Sequence, residues 1–108
     1  MPVTFDPSSR RVTARVPERD GARCQFRWRT QAAAGAPDNP WQTLADSGDT
    51  RETWVIGNEA ATLDIEALMI YADGGITEWA PFCVPLKVPA YSNVLFGVVA
   101  DCLSLIHI

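Results

Sequence analysis

Cys24, Phe26, Trp28 and Thr30 alternate with Gln25, Arg27 and Arg29, and a period of two confines a chain to few folds. Successive side chains of a strand point to opposite faces, so such a segment buries one face and wets the other. Phe26 and Trp28 are expected to face a core, and both arginines to face outward. Residues 62–72 repeat the pattern, with Leu63, Ile65, Ala67 and Met69 on one face. Their composition also suits a helix, which Asn58 would cap. The alternating face and the turn residues on both sides favour a strand. Leu68 and Ile70 then point away from the core.

Shorter β-prone runs complete the set. They are residues 3–5, the alternating Val12, Ala14 and Val16, then 41–44 and 53–56. Turn residues separate them at 6–10, 17–21 and 45–51. Residues 31–40 open on alanines, but Gly35, Pro37 and Pro40 stop a helix within a turn, so a long loop is expected. Residues 76–88 read as a last strand, bent or bulged by Pro81 and Pro85. Prolines suit a sheet edge, where an amide hydrogen has no ladder partner. About seven short strands with turns between them predict an all-β, antiparallel sandwich.

A chain of 108 residues, 47% apolar and 20% charged, is expected to form one domain with a modest core. The net charge of -4 argues against a general nucleic-acid binder. Residues 1–51 carry eight arginines against six acids, whereas 52–108 carry one lysine against seven. A positive half beside a negative half suggests strands that pair across the fold. The bias to arginine and alanine points to a GC-rich bacterial or phage genome. No apolar run reaches the ~18 residues of a membrane span, and no signal-peptide pattern is visible. Cys24, Cys83 and Cys102 have no motif spacing. Cys24 and Cys83 are expected as buried thiols in strands, where cysteine behaves as a small apolar residue.

Chemistry-bearing constellations are sparse. Asp64 and Glu66 share a strand face at roughly 7 Å, and paired carboxylates at such distances hydrolyse glycosides. Arg27 and Arg29 on an adjacent strand give the competing expectation, cross-strand charge pairing. The sole histidine, His107, has no cluster with which to bind metal. It falls outside the expected 1–88 domain, so Cys24 and Cys83 are expected to have no imidazole partner within that domain. The Asp- and Gly-rich turns lack a calcium-loop register and a phosphate-loop spacing. No catalytic, metal or cofactor site is expected. Of four tryptophans, Trp28 and Trp54 are assigned to the core. Trp41 and Trp79 are expected to be partly exposed, where they can stack on a sugar or a guanidinium. Arg27, Arg29, Leu68, Ile70, Trp41 and Trp79 make up the candidate contact surface, an apolar patch with a charged border. The competing expectation is that the 31–40 loop or a neighbouring domain covers Leu68 and Ile70.

The stretch LDIEALMIYADGGITEW resembles the F strand, turn and G strand of a fibronectin type III domain. CQFRWRT resembles its C strand, WQTL its C′ strand and RRVTARVP its B strand. The likeness covers roughly residues 2–88. Two positions depart from the family pattern. Val16 stands where the B strand usually carries a buried Trp, and Leu63 stands where a Tyr hydroxyl usually pins the preceding corner. Trp28 or Trp54 is expected to fill the vacated volume. The resemblance implies an immunoglobulin-like sandwich that is a spacer or binding module, not an enzyme. The Trp-rich style is similar to modules of phage tail-tip or host-specificity proteins, which implies a virion location. Implied partners are neighbouring domains of a longer chain, other tail proteins, or a host-surface glycan or protein. The alternatives are an accessory module of a secreted carbohydrate-active enzyme, or a bacterial surface adhesin.

The sandwich is expected to span residues 1–88, followed by a linker at 89–93 and the start of a truncated following segment at 94–102. Residues 103–108 resemble an in-frame translation of a transposase adapter used in sequencing libraries, and are set aside from fold reasoning.

Overall fold

The computed structural model describes residues 3–17, 21–46, 48 and 50–92, and the expectations for 94–102 and 103–108 lie outside them. Among the described residues eight strands form two antiparallel sheets. The first sheet holds β1 (Val3–Asp6), β2 (Arg11–Arg15) and β5 (Arg51–Val55), in the order β1-β2-β5. The second holds β3 (Arg23–Thr30), β4 (Gln42–Thr43), β6 (Ala61–Ile70), β7 (Ala80–Pro81) and β8 (Leu86–Val88). Its order is β4-β3-β6-β7, with β8 also on β6. Among the described residues there is no helix, and the 31–40 segment is a loop.

The segment open to either reading is an extended strand of ten residues, β6. Every second side chain is buried, from Leu63 through Ile65 and Ala67 to Met69. Its full pairing with β3, from Arg23 opposite Ile70 to Thr30 opposite Leu63, satisfies the backbone that a helix would have satisfied internally. The turn after β6 explains the paired glycines. Tyr71 N–H donates to Gly75 O (2.8 Å) and Gly74 N–H to Tyr71 O (3.0 Å), while Gly74 takes a φ of 91° that other residues rarely adopt. Asp73 Oδ1 accepts the Gly75 N–H at 2.8 Å.

One core joins both sheets. Val3, Phe5, Val12, Ala14 and Val16 meet Cys24, Phe26, Leu63, Ile65 and Phe82. Phe26 and Phe82 pack edge to face with centroids 5.2 Å apart, a favoured aromatic geometry. Trp28 and Trp54 form a stacked pair with ring centroids 6.0 Å apart at 20°. Trp54 is buried, whereas Trp28 is half-buried at the margin of the core.

The last expected strand, 76–88, is not continuous. Ile76 bridges to Ile70, β7 pairs with Glu66 and Ala67, and β8 pairs with residues 61–63. Pro81 and Pro85 remove two backbone donors, so the ladder breaks between them and the chain kinks inward. That kink buries Phe82 and Cys83, and Phe82 N–H reaches Ile65 O at 2.9 Å. Cys24 is buried in β3 as expected. Cys83 is equally buried but disulfide-bonded, which corrects the expectation of a thiol there.

Candidate functional site

The pleat and the register together build the outer face of the second sheet. Arg27 pairs with Glu66 and Arg29 with Asp64 across the β3–β6 ladder. Arg27 Nε donates to Glu66 Oε1 at 2.7 Å, its Nη2 donates to the same oxygen, and Arg29 Nε reaches Asp64 Oδ2 at 3.3 Å. The two carboxylates are therefore partners of the two arginines, as the charge-pairing expectation required. Asp64 also accepts from Gln31 Nε2 at 2.9 Å.

Two tryptophans complete this face. The β3–β4 register, Arg27 opposite Thr43 and Trp28 opposite Gln42, extends by one step to place Trp41 opposite Arg29. Arg29 lies 4.1 Å from the Trp41 ring centroid and Arg27 lies 4.5 Å from it. Arg27 is also 4.6 Å from Trp79, in the segment leading into β7. The Arg27 guanidinium thus contacts two indoles while its edge holds Glu66. Cationic planes over indole faces are attracted by the ring quadrupole, and a planar guanidinium can stack and donate in its plane at once. Of the six candidate residues, four form this cluster. Leu68 and Ile70 lie toward the other end of β6, opposite Gln25 and Arg23, and are half-buried. The 31–40 loop is tied to the far end of β3, where Asn39 donates to Thr30 O at 2.8 Å.

Sequence reasoning missed Arg10. It is 3% exposed and has a positive φ of 59°. Its guanidinium donates to three backbone carbonyls, Gly57 (3.0 Å), Glu59 (3.1 Å) and Pro89 (2.6 Å), and lies 4.9 Å from the Phe5 ring. Its own carbonyl accepts the Ile56 N–H at 2.9 Å. Arg10 therefore ties the β1–β2 turn to the β5–β6 loop and to the chain leaving β8. Tyr91 N–H adds a bond to Asn58 O at 2.8 Å. The sequence signal was faint: an arginine ending a Pro-Ser-Ser turn, where solvent exposure is the ordinary outcome.

A hollow of about 510 Å³ opens above that loop, between it and the end of β3, lined by Trp28, Thr30, Gln31, Ile56, Asn58 and Glu59 among others. Among the described residues no three His, Cys, Asp or Glu side chains come together as a metal site, and no helix is long and apolar enough to cross a membrane. No family model matches the chain, and neither the curated proteins nor the solved structures yield a match.

Proposed function

We propose that the chain is a non-catalytic, fibronectin type III-like module of a longer phage tail or host-specificity protein, where it spaces neighbouring domains and offers them a contact face. The observation that carries this reading is the path of the backbone. Val3 lies opposite Ala14, at the end of the first sheet that also holds Arg15 and Arg51. The chain leaves β8 at the opposite end, where Arg10 binds the Pro89 carbonyl. A module entered at one end and left at the other transmits distance along a string of domains. The buried clamp at Pro89 fixes the direction of departure. The Arg–Trp face supports a contact role, because aromatic and arginine side chains are enriched where proteins meet. Neighbouring domains, other tail proteins or a host-surface glycan or protein are the partners this role implies, in a virion.

The test is the coding DNA on either side. Tail-assembly or fibre domains in the same reading frame are the expected result. A glycosidase domain there overturns the assignment in favour of an accessory module of a secreted enzyme, and an export signal upstream overturns it in favour of an adhesin.

A further inference from the structure

We infer that the hollow beside Trp28 binds a neutral sugar ring of a glycan chain. Its size falls within the range of small-ligand pockets, about 300–1,000 Å³. Trp28 is stacked on Trp54 and only half-buried, so an indole of the inward-facing row lines the hollow instead of vanishing into the core. Apolar C–H faces of a pyranose suit such a ring. Its lining residues include two that carry neutral amides, Gln31 and Asn58, one hydroxyl, Thr30, and one carboxylate, Glu59. Amides and hydroxyls can donate to and accept from sugar hydroxyls. Among the described residues the lining of this hollow holds no cation to select a phosphate or sulfate, whereas Lys87 lines the hollow beside it. One ring with one carboxylate falls short of the several aromatic walls that cage a quaternary ammonium.

Two further observations fit a chain of sugars. A more open hollow of about 480 Å³, reaching Lys87 and Val88, shares Gln31, Ala60 and Ala61 with the first, so the groove continues beyond one ring. Its walls are also held in place. Arg10 binds the carbonyls of Gly57 and Glu59, Tyr91 N–H binds Asn58 O, and the Gln31 side chain is tied to Asp64. A preformed wall lowers the ordering cost of binding. The inference does not depend on the phage-tail reading, since it concerns one groove of the folded chain.

The experiment is an NMR titration of the ¹⁵N-labelled full chain with trisaccharides of glucose, galactose, mannose and N-acetylglucosamine. The four indole N–H signals and the Asn and Gln side-chain amides are the readout. Saturable shifts of the Trp28 indole and the Asn58 and Gln31 amides with at least one trisaccharide are expected. Asn58→Ala should weaken that binding about 5–10-fold with the spectrum otherwise folded, and Trp28→Phe should weaken it as well. Three results overturn the inference: no saturable shift with any of the four; saturable shifts at Trp28 with tetramethylammonium instead; or binding that survives Asn58→Ala and is lost on Trp41→Ala.

Discussion

Replacing Arg27 tests the outer face most directly. Its guanidinium lies over Trp41 and Trp79 at 4.5 and 4.6 Å and holds Glu66 through two hydrogen bonds. Each cation–π contact contributes about 0.5–1 kcal/mol at partly exposed sites, and a cross-strand ion pair about 0.2–1 kcal/mol. The Arg27 and Glu66 side chains are 23% and 19% exposed, so solvent screens this pair less than a fully wetted one. Arg27→Ala should therefore cost about 2 kcal/mol. Arg27→Lys keeps the charge but loses the planar stack and the fork, and should cost about 1 kcal/mol. Urea unfolding followed by far-UV circular dichroism reads both. With a slope of about 1.5 kcal/mol per molar, the alanine variant should unfold at a midpoint lower by about 1.3 M. A double-mutant cycle with Trp79→Ala should show coupling of about 0.5–1 kcal/mol. An alanine variant within about 0.5 kcal/mol of the parent, or a cycle that adds without coupling, refutes the claim that these contacts hold the face together.

Other perturbations separate the remaining features. Arg10→Ala strands three carbonyls and should cost about 3 kcal/mol while speeding amide exchange at Tyr91; Arg10→Gly should be milder than alanine by about 1 kcal/mol, since glycine accepts the 59° φ without strain. The Trp54 Nε1–H is buried without an acceptor, so Trp54→Phe should stay within about 1 kcal/mol of the parent by removing an unmet donor, while Trp54→Ala should cost about 3–5 kcal/mol; a phenylalanine variant as damaging as alanine shows that the donor has a partner. A hydrogen bond from the Arg23 side chain, helped by the Gly48 N–H, holds the Asp46 carboxyl below its ordinary value of 3.8. Its stabilising effect is thus present above that pH and lost as pH falls through the lower folded value; the stability gap between parent and Asp46→Asn should close on acidification, and a gap unchanged from pH 6 to pH 2.5 counts against the pairing.

How much of this was legible depended on whether one strand carried its own signal. The alternation in β3 and β6 settles which faces are buried, and once those two strands lie side by side the Arg27–Glu66 and Arg29–Asp64 pairs follow from the register alone. The broken last strand was half legible: the prolines announced a disturbance, but that the chain would kink to bury Phe82 and Cys83 depends on free volume left by other strands. The role of Arg10 was barely legible, because its three acceptors come from residues 47 to 79 positions away and carbonyls have no side-chain identity to read. The Trp28 hollow was missed for a related reason. An indole on an inward-facing row is assigned to the core, and only the positions of Ile56 and the 57–61 loop leave it half open.

The same geometry decides which tryptophans are free to meet a ligand. Trp41 carries both Arg27 and Arg29, and Trp79 carries Arg27. A sugar stacking where those guanidinium groups lie would have to displace contacts that the sheet already makes, and Arg27 would take its bond to Glu66 with it. The cost of displacing Arg27 would be about the 2 kcal/mol worked out above, equivalent to a roughly thirtyfold loss of affinity. Trp28 carries no such burden. Its stacking partner is Trp54, within the core, and the hollow it lines is bounded by backbone that Arg10 has already fixed. The face richest in aromatic residues is thus the one suited to protein neighbours, which can pack over a finished Arg–Trp surface without dismantling it, and the half-open core tryptophan is the one suited to a sugar.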